Sequence, residues 1–277
     1  MRIDAHQHYW SMSRNDYGWI NKELPIVYRD FLPQDYEIHL KKHNIDGSIV
    51  VQAAPTIEES EYLLELANLS DSILGVVGWL DLFTPSHKEH FDRFRKHKKF
   101  VGFRLMLQEM VDVSRVLEKP YLQALKYYAS LDIPIDILVR ENQLAVLNEL
   151  LKEVPDLRGV INHIGKPRIK EHLLEPWEFL MGEIAKHPKI YCKISGMVTE
   201  ADHDHWDVEH FKPYIEQIIR IFGLERIMFG SDWPVCLLAA SYDDVLAILN
   251  NTIPQSWVEE TLSGLFGENA RKFYKLR

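Results

Sequence analysis

Eight short apolar runs alternate with amphipathic stretches along all 277 residues, a pattern that predicts a (β/α)8 TIM barrel of the α/β class, built as a single domain over residues 1–277. Two further observations support it. No linker, low-complexity stretch or solenoid-length repeat divides the chain, and its 46% hydrophobic content is enough for one sizeable core. An open doubly wound sheet would announce itself with a Gly-rich phosphate turn after the first strand, where this chain has His6-Gln-His-Tyr-Trp10.

The expected strands are Arg2 to His8, Ser48 to Ala53, Ile73 to Trp79, Phe100 to Leu105, Pro134 to Val139, Arg158 to His163, Lys189 to Ser195 and Arg226 to Ser231. Most carry Ile, Val, Leu or Phe on both faces, as parallel strands do when helices cover one side and a barrel interior the other. Helices are expected between them. Pro33 suits a first helical turn, and Thr56 with Glu59 forms a capping box ahead of the Tyr62, Leu63, Leu66 stripe. Later helical patterns run Pro85 to His97, Lys119 to Leu131, Glu141 to Glu153, Pro176 to His187, Val208 to Phe222 and Tyr242 to Asn250, and the tail beyond Pro254 adds more helix. The segment Tyr9 to Leu32 is long for a connection in a compact domain, which makes it a candidate lid or interface.

The formal charge of −9 argues against a nucleic-acid partner, which a basic patch would normally mark. The small basic cluster from Arg95 to Lys99 reads as a solvated helix end. Cys192 and Cys236 sit in apolar stretches without a CxxC and are expected as buried free thiols. No apolar stretch approaches a membrane span and the N-terminus lacks a signal-like pattern, so a cytoplasmic protein without a membrane partner is expected. A homo-oligomer stays open.

Loops after the strands build the active site of such a barrel, so strand C-terminal ends are read first for chemistry. Here those ends are polar: His6 and His8 on strand 1, Gln52 on strand 2, Arg104 on strand 4, His163 on strand 6 and Asp232 just past strand 8. Side chains alternate along a strand, so His6 and His8 face the same way and can grip one metal ion or one substrate oxygen. The three imidazoles and the Asp232 carboxylate suit a zinc-type ion with an open position for water. Equally, the imidazoles can hydrogen-bond a substrate carbonyl while Asp232 removes a proton from water.

Each residue also has a plainer role. Asp232, in Phe-Gly-Ser-Asp-Trp-Pro, can cap the last helix; His163 can be a satisfied strand-end histidine; Arg104 and Lys166 can neutralise Asp232 or reach solvent instead of binding a substrate carboxylate. Trp10, Trp79 and Trp233 fall at or just after strands 1, 3 and 8, where rings stack on a sugar or lactone or simply fill the core. A second His-x-His, His203 and His205, lies in a polar loop with Trp206 beside it and Asp207 as a helix cap; it reads as solvated, or as part of a lid. Gly196 either lets backbone approach a ligand or turns the chain.

Together, His6-Gln-His8, Gly102-Phe-Arg104, His163-Ile-Gly-Lys166-Pro, Lys193-Ile-Ser-Gly-Met197 and Phe229-Gly-Ser-Asp232-Trp-Pro resemble the amidohydrolase superfamily. Within it they are similar to the sugar-lactonase branch of L-fuconolactone and L-rhamnono-lactone hydrolases, with 2-pyrone-4,6-dicarboxylate lactonase as a relative. The resemblance runs in order from Asp4 to Pro234. It implies a hydrolase of carbohydrate metabolism that adds water to the carbonyl of a small-molecule lactone. In that reading Asp232 matches the general base, His6, His8 and His163 match histidines that bind a metal or polarise the carbonyl, and Arg104 matches a substrate-contacting arginine. A neutral aldonolactone suits Gln52, Asn162 and the tryptophans better than a dicarboxylate, which would need more cations than Arg104, Lys166 and Arg140. Strand 5, Pro134-Ile-Asp-Ile-Leu-Val-Arg140, supplies no histidine, so a binuclear centre is not expected. One divalent ion, zinc, is the expected cofactor, beside the metal-independent chemistry that some lactonases of this branch use. Two other readings share the barrel: metal-dependent decarboxylation of an aromatic or unsaturated carboxylate, and sugar binding without catalysis.

Overall fold

The computed structural model describes residues 1–276. Eight parallel strands lie side by side in chain order: β1 (Ile3–Gln7), β2 (Gly47–Val51), β3 (Ile73–Trp79), β4 (Phe100–Met106), β5 (Ile135–Leu138), β6 (Gly159–Ile161), β7 (Ile190–Ile194) and β8 (Ile227–Phe229). Eight helices connect or follow them: α1 (Pro33–His43), α2 (Ile57–Leu69), α3 (His87–Phe94), α4 (Lys119–Ser130), α5 (Leu144–Glu153), α6 (Trp177–Ala185), α7 (Val208–Phe222) and α8 (Tyr242–Thr252). This is the (β/α)8 barrel that the alternating pattern predicts. No described helix is long and apolar enough to cross a membrane.

Closure of the ring depends on the junction between β1 and the segment after β8. Asp232 N–H donates to the His6 carbonyl at 2.8 Å, His8 N–H donates to the Trp233 carbonyl at 2.7 Å, and Ser231 N–H donates to the Asp4 carboxylate at 2.9 Å. Gly230 permits the approach, because a Cβ there would lie 2.6 Å from the Cβ of His6. Simple alternation would put Asp4 on the face of His6 and His8. A register irregularity between Asp4 and Gln7 separates them. Asp4 accepts hydrogen bonds from Tyr36 of α1 (2.6 Å) and Tyr242 of α8 (3.2 Å), while the two imidazoles meet at the mouth.

Two short helices complete the chain, α9 (Glu259–Ser263) and α10 (Asn269–Tyr274). Ala270, Phe273 and Tyr274 of α10 pack against Ile3, Ile49 and Met228, so the tail covers apolar surface left at one end of the barrel. The segment between β1 and α1 is held as a compact loop: Trp10 and Phe31 exchange backbone hydrogen bonds, and the Trp10 indole N–H donates to the Arg29 carbonyl at 2.8 Å.

Differences from the sequence expectation are local. β6 and β8 stop at Ile161 and Phe229, because the backbone turns left-handed at His163 and Asp232 soon after. Only half of the capping box forms. Thr56 accepts the Glu59 N–H at 3.1 Å, but the Glu59 carboxyl turns to the N–H groups of Ala53 and Ala54, at 2.8 to 3.0 Å, instead of the Thr56 N–H. A short 3-10 turn, Glu141–Gln143, precedes α5, and α3 is shorter than the Pro85 to His97 pattern.

Candidate active site

His6 and His8 leave β1 with their Nε2 atoms 3.2 Å apart. The Asp232 Oδ1 atom lies 3.2 Å from His8 Nε2, 3.7 Å from His6 Nε2 and 3.8 Å from His163 Nε2. All four residues are 4% exposed or less. Residues 6, 8, 163 and 232, scattered along the chain, therefore converge at the C-terminal ends of β1, β6 and β8. Burial sets the charge of His6 and His163. It drives His163 down to about 3 and, with Lys193 and His163 close by, holds His6 well below the ordinary imidazole value. Burial works to raise Asp232, but His163, His8 and Lys166 around it outweigh that effect and its carboxyl stays below the usual value. At neutral pH the site thus holds a carboxylate facing neutral His6 and His163.

The loop geometry at β6 is unusual. His163, Ile164, Gly165 and Lys166 all have positive φ, 54°, 47°, 72° and 50°, a complete left-handed turn. That conformation costs an L-residue roughly 1–2 kcal/mol, and a β-branched residue such as Ile164 rarely adopts it. Neighbours hold it in place: the Trp177 indole N–H donates to the Ile164 carbonyl at 2.6 Å, and Ser195 Oγ accepts the His163 backbone N–H at 3.2 Å and meets its Nδ1 at 3.0 Å. Gly196 makes room for the ring, since a Cβ there would sit 2.3 Å from His163 Nδ1. Asp232 also has a left-handed φ of 57°, and its carboxylate faces the histidines instead of capping a helix.

Arg104 is buried, yet it lines the mouth. Its Nε donates to Gln52 Oε1 at 2.7 Å and its Nη2 donates to the Gln52 carbonyl and Oε1. Burial lowers its pKa to about 10, which leaves it cationic at neutral pH. Gln52 spends its own amide N–H on the Ala54 carbonyl at 3.0 Å, so it supports Arg104 instead of facing the mouth. Lys166 lines the mouth and donates to Glu200 at 2.8 Å.

The tryptophans divide differently from the sequence expectation. Trp10 is tied into its own loop, Trp233 is packed among Tyr9, Phe31 and Tyr36, and Trp79, half-buried, does not line the mouth. Trp19 does line it, with its indole N–H donated to the Ala53 carbonyl at 3.0 Å. Only the length of the segment from Tyr9 to Leu32 hinted at such a wall. His203 also reaches the mouth, whereas His205 is largely exposed and Trp206 turns away to the Ala239 carbonyl. The cavity at the mouth is about 490 Å³, and Arg140, Lys166 and Glu200 join it to a wider cleft of about 920 Å³ over the loops after β5, β6 and β7.

The donor set suits a divalent cation. His8 Nδ1 lies 2.7 Å from the Val51 carbonyl, which can only accept, so in the neutral ring Nε2 presents a lone pair to Asp232 Oδ1 at 3.2 Å. Two acceptors this close need a positive charge between them. Among the described residues, His6, His8 and Asp232 have ligand atoms within 4.8 Å of one another; His163 stands beside this trio. Zinc takes such N and O ligands and leaves a position open in catalytic sites.

The amidohydrolase family profile matches residues 3–276. A curated relative from Burkholderia ambifaria, named L-fucono-1,5-lactonase, is 36% identical over 98% of this chain and 91% of its own length. A second protein of that name, from Burkholderia multivorans, is 35% identical over the whole of this chain and 96% of its own. The crystal structure of an amidohydrolase from Burkholderia multivorans with bound zinc superposes with a TM-score of 0.95 at 35% identity, covering all of both chains. With the family profile spanning residues 3–276 and relatives aligned over nearly the whole chain, the protein belongs to the amidohydrolase family.

Proposed function

We propose that the protein hydrolyses a sugar lactone, with a neutral aldonolactone of the L-fucono kind as substrate and the aldonic acid as product. The observation that carries this reading is the convergence of Asp232 with three buried histidines at a mouth that also presents Arg104. The lactonase names of its full-length relatives favour ring opening over decarboxylation.

In the mechanism, the lactone carbonyl rests against the imidazoles. Asp232, ionised at neutral pH, takes a proton from the attacking water. As the tetrahedral adduct collapses, Asp232 returns that proton to the departing ring oxygen, which leaves as a hydroxyl. N–H groups facing the carbonyl oxygen stabilise the negative charge that builds there, and losing one such contact costs about 3 kcal/mol. Arg104, fixed by Gln52, holds the substrate or the new carboxylate. A divalent ion held by His6, His8 and Asp232 would supply Lewis acidity toward the carbonyl and acidify water. We read residues 1–277 as one catalytic domain, and the acidic balance with two buried free cysteines as fitting a cytoplasmic enzyme without a nucleic-acid partner.

A panel of γ- and δ-aldonolactones, followed by proton release with and without chelator, tests the reading. L-Fuconolactone is expected among the fastest substrates, and Asp232→Asn is expected to abolish turnover while the lactone still protects against thermal unfolding. Opening of no lactone, or a near-normal rate in Asp232→Asn, would overturn the function or the assignment of the base.

A further inference from the structure

Barrel interiors are normally filled with apolar side chains, yet next to His6 lies a buried charge pair that the proposed chemistry does not use. Lys193 of β7 and Asp136 of β5, both fully buried, meet at 2.6 Å. Asp136 is saturated with donors. The Tyr274 hydroxyl of α10 donates to Oδ1 at 2.6 Å, while Asn162 Nδ2 (2.8 Å) and Lys193 Nζ donate to Oδ2. The 2.6 Å contact and the three donors gathered on Asp136 suit a carboxylate paired with a Lys193 ammonium, against the burial that pulls the lysine's pKa down. The Tyr274 ring adds a favourable face, 5.3 Å from Nζ. Buried pairs of this kind contribute little net stability, so the pair invites a functional account.

Lys193 reaches one more group, Nδ1 of His6, at 3.3 Å. An ammonium only donates. We propose that Lys193 is a positioning residue that sets the hydrogen-bond direction of His6, so that in the metal-stripped protein Nδ1 accepts and Nε2 carries the proton toward the mouth. The neighbouring bonds agree with that direction. His8 commits its Nδ1 proton to the Val51 carbonyl, which leaves its Nε2 to accept from His6 Nε2, 3.2 Å away. With a neutral His8 ring, the run from Lys193 through His6 and His8 to Val51 matches a donor to an acceptor at each step, while the contact of His8 Nε2 with Asp232 Oδ1 at 3.2 Å is left for a bound cation. Asp136, Asn162 and Tyr274 act on His6 only through Lys193, which links the tail helix to the site.

The experiment uses chelator-treated protein carrying isotope-labelled histidine. Two-bond proton–nitrogen correlation spectra at neutral pH separate the two tautomers, and the His6 signal is assigned by its loss in His6→Asn. The wild-type protein is expected to show His6 protonated at Nε2. In the double substitution Lys193→Met, Asp136→Asn, which removes both charges together so that neither stays buried alone, His6 is expected to populate the Nδ1-protonated form. A wild-type His6 protonated at Nδ1 overturns the proposal whether or not the variant folds, and so does an unchanged His6 signal in a folded double variant. On the lactone-hydrolysis reading the same variant, assayed with the ion removed because His6 Nε2 cannot both carry this proton and ligate a metal, loses roughly 10- to 100-fold in kcat with KM little changed. The spectra need no substrate, so failure of that reading and failure of this inference are told apart.

Discussion

Gly196→Ala separates two reasons for a glycine. Its φ of 56° places an L-residue in the left-handed region, at a cost of roughly 1–2 kcal/mol. Its added Cβ would lie 2.3 Å from His163 Nδ1 and 2.6 Å from Cγ, so the ring must yield by about 1 Å to restore an ordinary contact. Such overpacking costs about 1–3 kcal/mol more. A shift of that size in a group facing the reacting carbonyl lowers kcat/KM about 100-fold. Gly223→Ala is the control. Gly223 also has a positive φ, 70°, but nothing lies within 4 Å of its Cβ position, so this variant pays the backbone strain alone, roughly 1–3 kcal/mol. Urea unfolding and lactone hydrolysis are measured on both, well below their melting temperatures. Gly196→Ala is expected to lose stability and rate, Gly223→Ala stability only. A Gly196→Ala enzyme that turns over at the wild-type rate would refute the view that this glycine exists to seat His163.

Three other outcomes are expected. Gln52→Leu removes the acceptor that orients Arg104 and is expected to lower kcat/KM by about 10- to 100-fold, as loss of a supporting contact does, and to lower stability by about 1–3 kcal/mol because a buried guanidinium N–H loses its partner; an unchanged rate would show that Arg104 needs no such support. Trp19→Ala opens the wall of the mouth, so KM for the lactone is expected to rise more than kcat falls, and equal binding in a competition assay would remove Trp19 from the site. Asp132 bonds Arg158 and Lys275, and the Arg158 guanidinium beside it pulls its carboxyl down to about 2. A depressed acid adds stability above its ordinary value of 3.8, and that stability is lost as pH falls toward 2; the gap between wild type and Asp132→Asn in urea titrations is therefore expected to close over that range. A gap independent of pH would show that the pair does not act through charge.

The barrel and the gathering of polar residues at its mouth were legible because they rest on short-range rules. Apolar runs at regular intervals mark buried parallel strands, and polar residues where those runs end mark the mouth. What stayed hidden depends on backbone conformations that side-chain pattern does not encode. Nothing in Asn-His-Ile-Gly-Lys signals a left-handed turn across Ile164, and no residue type marks the irregularity that sends Asp4 outward while His6 and His8 meet. Trp19 was concealed by its place in an irregular connection, where periodicity has no meaning. Glu59 read as a capping-box partner because its spacing from Thr56 is right, but the unpaired amides of Ala53 and Ala54 compete for the same carboxylate. Asp136 and Lys193 did carry a signal: each is a charged residue inside a run otherwise apolar on both faces, which is costly unless something pairs with it.

On the proposed mechanism, the junction that completes the ring is also a condition for activity. The amide of Asp232 is anchored on His6 and that of His8 on Trp233, so Asp232, the base we propose, meets the histidines only when the segment after β8 is docked beside β1. A chain in which this junction is open is expected to be inactive, because Asp232 then lies apart from the histidines. Recovered turnover during refolding should accordingly trail the return of secondary structure, marking the moment at which the two ends of the polypeptide are zipped together.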